Sequence, residues 1–359
     1  MISTLVFILV ISILIVVHEF GHFIAAKKLG VKVERFAVGF GPALFTRKGK
    51  DTEYSICAIP LGGYVKMAGD SQEDRKGSPD EYFSQPPGGR FQIIFFGPLL
   101  NYVLGFLCFW FIFVAGYPKL TSSVGSVLEG YGAKDAGIMA GDSITAIDGQ
   151  EIHFWEDLQA IVQRKRSDAK VNLTVLRNGS PKTFLVSIKE KATDDLLGKK
   201  HTVGLIGITP SDNTEIVRHG FFESAGFALE KTWDLTVLTY NAIWRMLTGQ
   251  MSMRESVTGP LGMFYITSKV AQLGIIAIIH FMATISISLC IFNLLPVPVL
   301  DGGHIFLLLV EKLKGKPVSA KLERVVTQAG FALLIMLVVV VTYNDIVRLF
   351  GEKIAKLFQ

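Results

Sequence analysis

Cysteine is scarce in this 359-residue chain: Cys57, Cys108 and Cys290 lie far apart, with no Cys-x-x-Cys spacing. That excludes a disulfide scaffold and a thiolate metal site. Cys108 and Cys290 fall in apolar runs and read as small hydrophobes. Charge is sparse as well, at 19% of residues with a net charge of +5. The basic residues cluster at 27–90 and 312–324, where they flank long apolar runs. Such clusters follow the positive-inside rule and give no support to a nucleic-acid partner. The first apolar run lacks both the basic start and the small-residue cleavage site of a signal peptide, so it is expected to be retained.

What is abundant is grease. Half the residues are apolar and 26 are Phe, which places the chain in the membrane class. Four runs approach the roughly 20 apolar residues that cross a bilayer: 2–26, 93–116, 273–295 and 325–343. Lys27 and Lys28 follow the first run, which puts the N-terminus outside and 27–90 in the cytoplasm. A fifth run, 229–247, repeats Leu229, Trp233, Val237, Tyr240, Trp244 and Leu247 at helical spacing, broken by Glu230, Lys231, Asp234 and Arg245. It predicts an amphipathic helix lying at the interface. The chain thus divides into 1–118, the first half of a membrane core; 119–218, an extracytoplasmic module; 219–270, an interfacial region; and 271–359, the second half of the core. The expected fold is an α-helical polytopic membrane protein with four spans and an inserted small β-rich domain. Short strands punctuated by glycine and a helix at 155–166 set that domain apart.

The chemistry concentrates in two places. His18-Glu19-Phe20-Gly21-His22 puts two imidazoles four residues apart, on one face of a helix. Zn²⁺ accepts His nitrogen, and a catalytic site keeps one position open beside three protein ligands. Glu19, beside the first ligand, is placed to take a proton from water and give it to a leaving amine. Polar residues that merely glue helices together are the bland alternative, but His and Glu inside an apolar span are costly and rarely idle. The third ligand is expected from Asn293-Leu-Leu-Pro296-Val-Pro298-Val-Leu-Asp301-Gly-Gly-His304. Its two prolines break the helix, Gly302-Gly303 is expected to let the chain turn, and irregular backbone at membrane depth is tolerated only where it is buried or lines a wet cavity. Asp301 is the expected ligand. His304 reads as a neighbouring polar group, and His280, about 20 residues earlier, as a packing residue. With four spans the two motifs meet at one depth; a crossing by 229–247 would part them by roughly 30 Å.

The pairing of H-E-F-G-H with N-x-x-P-x-P-x-L-D-G-G-H resembles the site-2 protease family of intramembrane metalloproteases, and within it the bacterial regulator-of-sigma-E group. Gly39-Phe-Gly-Pro42, Pro60-Leu-Gly-Gly-Tyr64-Val-Lys-Met67 and Gly97-Pro98-Leu-Leu-Asn101 extend the likeness along the chain. The run from Ala136 to Ile152 is similar to the A-G-L-x-x-G-D-x-I-x-x-I-x-G-x-x-I signature of PDZ domains, which bind peptide ends by strand addition. The resemblance implies a zinc endopeptidase of a bacterial inner membrane that cuts single-pass transmembrane substrates, of anti-sigma-factor or remnant-signal-peptide type. It also implies that Asn293 helps hold the substrate or the tetrahedral intermediate, and that 31–67 is a membrane-associated β-hairpin that engages an unwound substrate as an added strand. Some relatives carry two PDZ domains, whereas this chain has room for one. A PDZ-bearing scaffold with a non-catalytic metal site is the alternative, and a transporter, suggested by the helix broken at Pro296, is a third.

Overall fold

The computed structural model describes residues 2–71, 74–165, 169–194, 200–252, 256–316 and 318–357. Arg166, the expected end of the 155–166 helix, lies outside them. Two compact units emerge: one of residues 1–112, 224–244 and 252–359, the other of 113–223 and 245–251.

The first unit opens with α1 (Ile2–Lys28), followed by β1 (Val33–Lys48) and β2 (Glu53–Met67), which pair antiparallel as one long hairpin. Phe40, Leu44, Phe45, Ile56 and Ile59 stand exposed around the far part of this ribbon, a surface suited to lipid rather than water. Next comes α2 (Pro87–Ala115). After the second unit the chain continues through α5 (Phe221–Leu247), α6 (Pro260–Gln272), α7 (Ile275–Asn293), α8 (Asp301–Lys314) and α9 (Ala320–Leu357). Within the described residues, four helices are long and apolar enough to span a bilayer: Ile2–Lys28, Pro87–Ala115, Ile275–Asn293 and the Arg324–Phe350 part of α9. The molecule is a polytopic α-helical membrane protein. The amphipathic run 229–247 falls inside α5, which does not meet that standard.

Polar ties fix the helices where sequence-distant segments meet. Ser268 on α6 donates to Ser3 on α1 (3.2 Å), and Ser286 on α7 donates to the Asn101 carbonyl on α2 (2.7 Å). The buried Asp345 carboxylate on α9 accepts from the Gly259 and Gly262 N–H groups (3.3 and 2.8 Å). Such bonds in hydrocarbon are each worth about 1 kcal/mol, and their greater effect is to select one packing register.

The break between α7 and α8 differs in one detail from its sequence expectation. Gly302 and Gly303 do not form the turn; they open α8. The turn is made by 294–300, with Val299 at φ +81°, an uncommon conformation for a β-branched residue. The two glycines instead allow close approach. A Cβ on Gly302 would lie 2.2 Å from the Leu295 carbonyl, and one on Gly303 2.3 Å from that of Val297.

The second unit is β-rich. Strands β3 (Tyr117–Leu120) and β12 (Thr214–Val217) pair, as do β4 (Val124–Val127) and β11 (Ile208–Pro210), and β9 (Lys189–Asp194) and β10 (Lys200–Leu205). A four-stranded sheet runs β6 (Gln150–Glu151), β5 (Ser143–Ile147), β7 (Lys170–Arg177), β8 (Ser180–Ser187). With α3 (Gly132–Asp135) and α4 (Trp155–Gln163) it encloses a core built on Ile144, Ile147, Leu158, Leu173, Val186 and Ile188. Asp142 braces this unit: its buried carboxylate accepts from Arg177 Nε and Nη2 (2.7 and 2.6 Å) and from the Met139 N–H (2.9 Å).

The Arg177 guanidinium, and after it the Met139 N–H, hold the Asp142 carboxyl below the usual carboxylate range, against the opposing effect of burial. A carboxyl with a depressed folded-state pKa stabilises above its unfolded value, about 3.9, and loses that contribution as pH falls through the folded value. Limited proteolysis of the full chain should therefore show this unit opening below about pH 4. The substitution Asp142→Asn is expected to destabilise the unit at neutral pH, because it removes the charge that the Arg177 guanidinium pairs with. Equal protease resistance of variant and parent would contradict this.

Candidate metal centre and active site

Helical spacing on α1 stacks His18 above His22, and the two rings meet edge to face with centroids 4.8 Å apart. Asp301 reaches them from the first turn of α8, where a carboxylate also suits the helix dipole. His18 Nε2 lies 3.1 Å from Asp301 Oδ2, His22 Nε2 3.5 Å from Oδ1, and the two Nε2 atoms are 3.2 Å apart. Among the described residues, these three form the group of His, Cys, Asp or Glu side chains able to share one ion. On a tetrahedral Zn²⁺ with bonds of about 2.0–2.1 Å, neighbouring donor atoms are about 3.3–3.4 Å apart. The spacing and the two-imidazole, one-carboxylate chemistry both fit that ion.

Two glycines permit this geometry. A Cβ on Gly21 would meet the Phe96 carbonyl oxygen at 2.1 Å, and one on Gly97 would meet His22 Nε2 at 2.3 Å. Gly21 and Gly97 thus bring α1 and α2 close enough for α2 to hold the rings. The Ile93 carbonyl accepts from His22 Nδ1–H (2.8 Å), and the Asn101 side-chain amide lies 3.3 Å from His18 Nδ1.

Glu19 is not one of the three clustered residues. It lines the adjoining cavity with His22, Asp301 and Val65 of β2. A Cβ on Gly63 would lie 3.1 Å from Glu19 Cγ and 3.0 Å from Ile15, so this stretch of β2 presses directly on the metal-motif helix. The cavity holds about 230 Å³ and extends past Val65, Met67 and His304 to Arg90 and Glu311. Arg90 and Glu311 form a buried ion pair between α2 and α8, with the guanidinium 5.5 Å from the Phe83 ring.

The structure therefore brings together His18, His22 and Asp301 and sets Glu19 beside them. Asn293 ends α7, half-buried, and is not among the residues lining the cavity. His304 lines the cavity outside the cluster. His280 packs edge-on against Phe109 (5.3 Å). Sequence reasoning assigned no role to Asn101, Arg90 or Glu311. Asn101 had a signal, as a polar residue in an apolar run, whereas the Arg90–Glu311 pairing spans 221 positions and had none.

The model of peptidase family M50 matches residues 6–337. A candidate zinc metalloprotease of Clostridium acetobutylicum is 36% identical over 342 residues, covering 95% of this chain and 96% of that one. The regulator of sigma-E protease of Escherichia coli is 29% identical over 446 aligned residues, covering 96% and 98%. A zinc metalloprotease of Oceanobacillus iheyensis is 28% identical over 430, covering 98% and 100%. Among solved structures, the PDZ domain of an SdrC-like protein from Listeria monocytogenes aligns with 27% of this chain and 90% of its own at 24% identity, with a TM-score of 0.21, too low to carry a fold assignment. The family model runs from residue 6 to residue 337 and the relatives it groups are metalloproteases: the chain belongs to peptidase family M50 and is a metalloprotease.

Proposed function

We propose that this metalloprotease uses zinc to hydrolyse peptide bonds within the transmembrane segments of single-pass membrane proteins. The observation that carries the reading is the convergence of His18, His22 and Asp301 on one point between helices of a membrane core. In this reading those three hold the ion, which when bound supplies Lewis acidity toward the scissile carbonyl and the attacking water. Glu19 takes the proton from that water and returns it to the amine of the leaving fragment. Strand β2 packs against the Glu19 side chain at Gly63 and lines the same cavity with Val65.

A helical peptide bond is shielded by its own hydrogen bonds, so the substrate must first be extended. Strands β1 and β2 form a sheet of two, leaving an unpaired edge on each, and β2 packs against Glu19. A substrate strand added to that hairpin would present its backbone beside the general base. Asn293, at the end of the last helix before the Asp301 loop, would help hold it. The inserted unit, carrying the PDZ-like run from Ala136 to Ile152, lies on the extracytoplasmic side. There it screens substrates by the size of their outer parts or takes a freshly cut C-terminus. The domain limits 119–218 and 219–270 belong to this reading, as do an N-terminus outside and a bacterial inner membrane. Relatives named for sigma-E and sigma-W regulation suggest anti-sigma factors as one substrate class, with remnant signal peptides as another.

The test is reconstitution of the full chain in liposomes with a panel of single-pass substrates, reading the cut site by mass spectrometry. Cleavage inside the membrane segment, abolished by chelation and restored by zinc, is the expected result. Cleavage confined to water-exposed loops would overturn the reading.

A further inference from the structure

We infer that Asn101 is a positioning residue for the metal site: its side-chain carbonyl oxygen accepts from His18 Nδ1–H and so fixes which ring nitrogen His18 offers to the ion. The inference rests on the reading of His18 as a ligand.

The companion histidine shows the logic. His22 Nδ1 faces the Ile93 carbonyl, and a carbonyl can only accept. His22 is therefore protonated on Nδ1, and its Nε2 lone pair is free to face His18 Nε2 and Asp301. His18 Nε2 points into the same cluster (3.1 Å to Asp301 Oδ2), so His18 needs the same tautomer and an acceptor at Nδ1. The group at that position is the fully buried amide of Asn101, whose Nδ2 lies 3.3 Å from His18 Nδ1. An amide has two orientations of equal shape, one presenting NH₂ and the other oxygen. With NH₂ toward His18, Nδ1 would have to accept, the proton would move to Nε2, and that nitrogen could not bind a metal. With oxygen toward His18, Nδ1–H is satisfied and Nε2 is free. The other amide atom, Oδ1, has no partner among the described residues, so turning the amide over breaks no second hydrogen bond.

The backbone at this point is held as well. Ser286, itself buried, donates to the Asn101 carbonyl. Two groups two turns apart on α2, one a backbone carbonyl and one a side chain, thus orient two ligands one turn apart on α1. Metal-binding imidazoles commonly donate their other N–H to an oxygen acceptor, and loss of that acceptor weakens the metal roughly 10–100-fold.

The test uses the full-length chain in detergent. Chelator competition should show zinc bound roughly 10–100-fold more weakly in Asn101→Leu, and within a few-fold of wild type in Asn101→Asp, whose carboxylate can accept the same proton. Histidine-selective ¹⁵N NMR of the zinc-loaded wild type should show His18 protonated at Nδ1 and coordinated through Nε2. This readout needs no variant, so it stands even if Asn101→Leu fails to fold. Equal loss of affinity in the Leu and Asp variants, unchanged affinity in the Leu variant, or coordination of His18 through Nδ1 would each overturn the inference while leaving the metal site intact. A wild type that binds no zinc would instead overturn the reading of His18 as a ligand.

Discussion

Glu19→Gln is expected to lower turnover of a transmembrane substrate by roughly 10²–10⁴-fold while the chain keeps its zinc and its thermal stability. The amide has nearly the shape of the carboxylate, so the packing of β2 against this side chain is kept. What it loses is the capacity to carry a proton between water and the leaving amine. Glu19 stands outside the three-residue ligand cluster, so metal content should stay the same. Paired activity and zinc measurements check both halves. An inactive variant that has also lost zinc would recast Glu19 as a ligand, and a variant that cleaves at the wild-type rate would remove it from the mechanism.

The second large effect is expected from a residue with no chemistry of its own. In Gly97→Ala the added methyl would sit 2.3 Å from His22 Nε2. That distance is far inside contact, and the atom it strikes is the proposed donor itself. The ring must swing away, breaking its bond to the Ile93 carbonyl and leaving the cluster. Overpacking of this kind costs about 1–3 kcal/mol, which a four-span core should survive, while zinc binding should fall by at least 10²-fold, roughly the loss of a stabilised ligand. Zinc content of the purified variant, with circular dichroism to confirm a folded chain, is the measurement. Wild-type zinc in Gly97→Ala would contradict the packing on which the site depends.

Why the packing role of Gly97 could not be read from the sequence while the role of His18 could is a matter of range. The spacing of His18 and His22 on one helix is local, and periodicity alone puts them on one face. Asp301 was legible because two prolines and an acid in an apolar run are costly in lipid unless they build a site. The four spans followed from composition, and the 31–67 hairpin from the family likeness. The roles of Gly21, Gly97 and Gly63 depend on what stands opposite them in three dimensions: the Phe96 carbonyl, the His22 ring, and Glu19 with Ile15. No local pattern encodes an opposing surface. The same holds for the Arg90–Glu311 pair and for Asp345, which bonds two N–H groups more than 80 positions away. The misjudged role of Gly302 and Gly303 has a similar cause. A glycine pair after prolines suggests a turn, yet the turn falls at 294–300 with Val299 at positive φ, and the glycines serve helix-to-loop contact.

The inserted unit shows the complementary case. Its strands at 143–147 and 171–177 were visible as short apolar alternations, and the Gly-Asp of the PDZ-like run marked Asp142. The partner of that aspartate, Arg177, lies 35 positions on, and only the fold reveals the forked pair.

At the centre of this account is one ion gripped from two distant stretches of chain. The most direct test is zinc analysis with X-ray absorption on the purified full-length protein and on His18→Ala, His22→Ala and Asp301→Ala. The account predicts one zinc per wild-type chain in a nitrogen and oxygen shell, and its loss or marked weakening in each variant. A wild-type chain without zinc after saturation, or an Asp301→Ala chain with an unchanged zinc shell, would contradict it.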